Sequence, residues 1–62
     1  MTQTAELTAL ATALSELLGR VTALAEASSR DEVAAELYEV ERTLGAAQRR
    51  LTRLIDRLES GR

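Results

Sequence analysis

Aliphatic residues recur along the chain in alternating steps of three and four. Leu7, Leu10, Leu14, Leu17, Val21 and Leu24 form the first series, and Val33, Leu37, Val40, Leu44, Ala47 and Leu51 form the second, with Ala47 its one small member. A helix completes a turn every 3.6 residues, so this spacing keeps the side chains on one side over several turns and makes the apolar stripe of two packed helices. The pattern breaks once, at Ser28 and Ser29. Across that break Leu24 can face Val33, Leu17 can face Val40, and Leu10 can face Ala47. Val21, Leu14 and Leu7 can likewise face Leu37, Leu44 and Leu51. The sum of paired numbers stays constant to within one, as an antiparallel hairpin requires. The expected fold is all-α: one antiparallel two-helix hairpin over residues 1–62, with helix one at about 4–27, a turn at 28–30 and helix two at about 31–59.

Local signals agree with these bounds. The Thr4 hydroxyl can cap free amides while Glu6 sits at the positive helix end. Gly19 costs about 1 kcal/mol relative to alanine, but the stripe keeps its phase across it, so one continuous helix is expected. Ser29-Arg30-Asp31-Glu32 has the form of a capping box, and Gly61 is an ordinary terminator. Asp31, Glu32 and Glu36 crowd the start of helix two, and Arg49, Arg50, Arg53 and Arg57 crowd its end, both complementing the helix dipole.

The apolar surface is wider than one seam needs. Ala11, Leu18 and Ala25 lie beside the stripe of helix one, and Ala34 and Ile55 beside that of helix two. With Leu7 opposite Leu51, the last turns of helix two outrun helix one and carry Leu54, Ile55 and Leu58. The expected remedy is a face-to-face pair of hairpins, a four-helix bundle. Leu7, Leu10, Leu14, Leu17, Val21, Leu24, Val33, Leu37, Val40, Leu44 and Leu51 are therefore expected in the hairpin core. Leu18, Leu54, Ile55 and Leu58 are expected at an interface with a second copy in a homodimer or higher homo-oligomer. The overhang is the expected place for any other protein partner.

Composition narrows the chemistry. The 62 residues contain no cysteine and no histidine, so neither a disulfide nor an imidazole zinc site can staple so small a domain. Without those side chains, and with hydroxyls confined to caps and outer faces, no catalytic residue, metal site or cofactor is expected. Tyr38 is the sole aromatic residue, which removes the stacking platform of single-strand binders. No uninterrupted apolar run approaches the ~20 residues of a membrane span, and the N-terminus lacks a basic signal region, so a cytoplasmic location and no membrane partner are expected.

The net charge of −2 conceals an asymmetry: residues 1–41 hold eight acids against Arg20 and Arg30, and residues 42–62 hold six arginines against Asp56 and Glu59. Arg49, Arg53 and Arg57 recur every four residues and form a row that can grip phosphate or an acidic protein surface. The remainder of the chain is acidic and matches no groove-reading motif, so nucleic acid is not the expected partner.

In length and plan the chain resembles the Rop-type helical hairpins, a likeness that covers all of it and implies a homodimeric four-helix bundle binding paired RNA loops. Glu41 to Asp56 resembles the signature helix of actinobacterial anti-sigma hairpins that respond to cyclic di-GMP, where Glu, Ser, Arg, Gln and Asp recur along one side. At that spacing the chain has Glu41, Gly45, Gln48, Thr52 and Asp56, agreeing at the two acids. The expected function is a non-enzymatic, oligomerising interaction module with a regulatory or structural role. The alternative is an anti-sigma-like or nucleotide- or nucleic-acid-responsive regulator that uses the Arg-rich end of helix two.

Overall fold

The computed structural model describes residues 3–61 and contains two helices packed against each other, α1 (Gln3–Ala27) and α2 (Asp31–Ser60). There is no strand among the described residues. α1 passes through Gly19 without interruption, and a Cβ built there would meet nothing within 4 Å. Gly19→Ala is therefore expected to stabilise the chain by about 1 kcal/mol, read as a higher urea or thermal midpoint with an unchanged helical spectrum. Hydroxyls within the helices serve their own backbone: Thr12 donates to the Thr8 carbonyl at 3.1 Å and Ser60 to that of Asp56 at 2.7 Å.

The turn falls where the sequence places it but closes differently. Arg30, in an extended conformation, precedes the first turn of α2, and no side chain caps that end. The Arg30 amide donates instead to the Ser28 hydroxyl at 3.3 Å, and the Arg30 carbonyl accepts the first helical bond from Ala34 at 3.0 Å. The expected Ser29–Glu32 box does not form. The Glu32 carboxylate pairs with the Arg30 guanidinium at 2.5 Å, which holds its pKa below the usual carboxylate value. At the far end Gly61 has φ −82°, so α2 stops without a left-handed cap.

The seam between the helices is the main departure from the expected packing. α1 turns Thr4, Leu7, Ala11, Leu14, Leu18, Val21 and Ala25 toward its neighbour, and α2 answers with Ala34, Leu37, Glu41, Leu44, Gln48, Leu51 and Ile55. Both series step strictly by three and four. They share Leu7, Leu14, Val21, Leu37, Leu44 and Leu51 with the expected stripe, but the other half of each row is replaced. Leu10, Leu17, Leu24, Val33 and Val40, expected in the core, are 39–60% exposed. Leu18 and Ile55, expected at an interface between copies, are half-buried within the hairpin itself. Three of the seam residues that depart from the expected stripe, Ala11, Ala25 and Ala34, are alanines, and interaxial distance follows the size of the side chains in contact, so small residues at the turn end favour a close approach of the helices there. Ala25, at 2% exposure, is the one buried residue among those described.

The pair forms a single flat layer. Its extents are 49 × 18 × 10 Å and its radius of gyration is 14.5 Å, against roughly 11 Å for a compact chain of this length. The accessible surface is 4820 Å², whereas a compact protein of 6.7 kDa exposes about 3,900 Å². Close to 900 Å² is thus in excess, as an elongated shape requires, and most of the exposed large hydrophobic side chains lie on one face.

Candidate interaction face

Three rows with a seven-residue repeat define that face. Leu10, Leu17 and Leu24 precede the seam residues Ala11, Leu18 and Ala25 by one position. On α2, Val33, Val40, Ala47 and Leu54 precede Ala34, Glu41, Gln48 and Ile55 in the same way. Antiparallel helices are related by an approximate two-fold axis normal to their common plane, so rows with equivalent placement emerge on the same side of the layer. The third row, Leu7, Leu14 and Val21 with Leu37, Leu44 and Leu51, lies between seam and face and contributes to both. Leu10 and Leu24 are 59% and 60% exposed, and Leu54 and Leu58 are 38% exposed.

The face is not flat. A shallow hollow at its open end is lined by Leu14, Ala47, Leu51 and Leu54 and rimmed by Arg50, Arg53 and Arg57. A second hollow, nearer the turn, is formed by Leu17, Val21 and Leu24 with Arg20 at its edge. The sequence-predicted row Arg49, Arg53 and Arg57 is thereby divided: two of its members border the apolar face and Arg49 belongs to the opposite side. Arg50, which the spacing leaves on the flank of that row, is the residue that completes the rim. Among the described residues none of these four arginines has an acidic side chain within 4 Å. The ion pairs there are Arg30–Glu32 and Arg42–Glu39, both exposed. The Glu39 carboxylate, 2.8 Å from Arg42, reinforces the charge on that guanidinium.

The opposite side of the layer is polar. Tyr38, Glu39, Arg42, Gly45 and Arg49 surround Leu18 and Glu41 there. The Glu41 carboxylate accepts a hydrogen bond from the Thr22 hydroxyl, which also lies 3.0 Å from the Leu18 carbonyl and can give its one proton to either oxygen. This bond ties α1 to α2 at a seam position where the periodicity would otherwise place an aliphatic residue. Sequence reasoning missed the pair because the expected stripe ran through Val40 and left Glu41 outside. The residues of the signature-like spacing, Glu41, Gly45, Gln48, Thr52 and Asp56, do follow one side of α2. The first three are half-buried and the last two exposed.

No family model, curated protein or solved structure matches the chain. The likenesses to Rop-type and anti-sigma hairpins therefore rest on plan and spacing alone. Among the described residues no cluster of three or more acidic side chains is placed to hold a metal ion. By length and composition α1 is apolar enough to cross a membrane, a property hidden from a search for uninterrupted apolar runs because Glu and Arg punctuate it sparsely.

Proposed function

We propose that the chain is a non-enzymatic interaction module that works by self-association, two hairpins packing their apolar faces together as a four-helix bundle. The observation that carries this reading is the unburied row of Leu10, Leu17 and Leu24 beside Val33, Val40 and Leu54, an extended apolar surface on a molecule with almost no buried core. The molecule's excess of roughly 900 Å² over a compact chain is comparable to the about 800 Å² that one partner contributes to a standard interface, room enough for one to form on this face. A second copy supplies a surface of the same length, width and character. The self-complementary patch of a two-fold dimer meets that requirement without any other component. The reading places the protein in water, because both edges of the layer and its polar side carry exposed Arg, Glu and Thr. A regulatory or structural role would follow from the assembled bundle, whose outer surfaces are the Tyr38–Arg49 sides of the two copies.

Sedimentation of the unaltered chain tests this. The expected mass is twice the 6.7 kDa of one chain. The thermal midpoint should rise with protein concentration, because association stabilises the folded state by mass action. A single-chain mass with a concentration-independent midpoint would overturn the reading.

A further inference from the structure

The two hairpins can meet with their turns at the same end or at opposite ends, and three features of the chain separate the arrangements. The first is length. α2 has 30 residues and α1 has 25, and the apolar stripe of α2 runs from Val33 to Leu58 while that of α1 runs from Leu7 to Leu24. With turns together, a two-fold axis along the bundle lays α1 of one copy over α2 of the other, so a shorter stripe covers a longer one and Leu58 stays wet. With turns opposed, the axis crosses the bundle and each helix meets its own counterpart, so every stripe lies on one of equal length.

The second feature is the midpoint. The α2 stripe is centred between Leu44 and Ala47, and the one small residue of its outer row therefore falls where the two copies of α2 would approach most closely. The matching centre of α1 falls between Leu14 and Leu17, beside that of α2 in the hairpin, so a single axis serves both pairs.

The third is charge. The turn half of the hairpin, residues 16–45, carries seven acids against Arg20, Arg30 and Arg42. The open half, residues 3–15 and 46–61, carries Glu6, Asp56 and Glu59 against four arginines. Turns placed together stack the two acidic turn halves on each other and leave Glu6 as the only acid of α1 opposite the arginines at the open end. Turns opposed set Arg50, Arg53 and Arg57 of one copy alongside Glu36 and Glu32 of the other, which gives the unpaired arginines of the rim their acidic partners.

From these features we infer that the second copy docks inverted, α2 on α2 and α1 on α1, with the axis passing near Ala47. This rests on the self-association reading above and specifies its geometry. The chain has no cysteine, so single thiols report the arrangement directly. On oxidation, Ala47→Cys is expected to shift from one to two chain masses on a denaturing, non-reducing gel, because its two copies lie across the axis. Ser29→Cys is expected to stay at one chain mass, because its copies lie at opposite ends of a particle about 49 Å long. Cross-linking through Ser29→Cys but not Ala47→Cys, or a dimer in which Ala47→Cys stays unlinked, would overturn the inverted geometry and leave self-association standing. No cross-link from either variant, together with a single-chain mass for the unaltered protein, would overturn self-association itself. The reduced Ala47→Cys protein should keep the parent's sedimentation mass, which confirms that the probe leaves the assembly intact.

Discussion

Leu14→Asp is expected to abolish the folded hairpin. Leu14 sits in the half of the stripe shared by the seam and the exposed face, and it lines the open-end hollow beside Leu51 and Leu54. A carboxylate there loses apolar burial in both contacts, about 1.5–3 kcal/mol for a leucine side chain fully removed from water. In the proposed bundle it would also become an unpaired charge in a packed layer, which costs several kcal/mol more. A domain of this length is held by only about 3–9 kcal/mol in total. The expected result is loss of most of the helical circular dichroism signal at 222 nm. Leu14→Met, which conserves volume, should cost less than about 1.5 kcal/mol and keep the signal. A helical Leu14→Asp protein with the parent's mass would show that neither contact runs through this residue.

Much of the architecture was legible because local signals and periodicity point the same way. The serine pair, the acids of the first turn of α2 and the unbroken phase across Gly19 locate both helices and the turn to within a residue or so. The seam was harder for a physical reason. Each helix offers two overlapping stripes that share Leu7, Leu14 and Val21, or Leu37, Leu44 and Leu51, and hydrophobicity alone favours the stripe completed by the larger side chains. The structure completes it with Ala11, Leu18, Ala25, Ala34 and Ile55 and accepts Glu41, which bonds to Thr22 across the seam, and Gln48. Reading size as well as polarity along the two candidate rows would have separated them. The alanine row suits a close pair of helices, and the leucine row suits a second layer.

That division of labour makes the seam's polar residues intelligible. Glu41 and Gln48 lie in the same seven-residue row as Ala34 and Ile55, where an all-aliphatic sequence would pack in several registers. A polar residue at such a position costs stability but narrows the registers available, because only one alignment lets it reach a partner. For Glu41 that partner is Thr22. The one cross-helix hydrogen bond among the described residues thus lies toward the polar side of the layer, while the large exposed aliphatic residues lie on the opposite flank.

Leu17→Lys combined with Val40→Lys separates the two contacts experimentally. Both residues lie outside the seam, at 45% and 43% exposure, so lysine at either position can remain hydrated in an isolated hairpin and removes no α1–α2 contact directly. In the proposed dimer each substitution counts twice. Four half-exposed aliphatic groups at about 1 kcal/mol each, with the cost of desolvating the added charges set aside, amount to about 4 kcal/mol, or three powers of ten in the association constant. The variant is expected to sediment as one chain. On the proposed reading the lone hairpin is only marginally stable, so the variant's helical signal should also fall at micromolar concentration, and its thermal midpoint should drop and lose its dependence on concentration. Loss of mass with full helicity retained would mean that the hairpin is stable alone and that association is a separate function of the face. An unchanged mass and midpoint would show that Leu17 and Val40 face water in the working protein, and the explanation for a half-built core would then have to lie with a different covering surface.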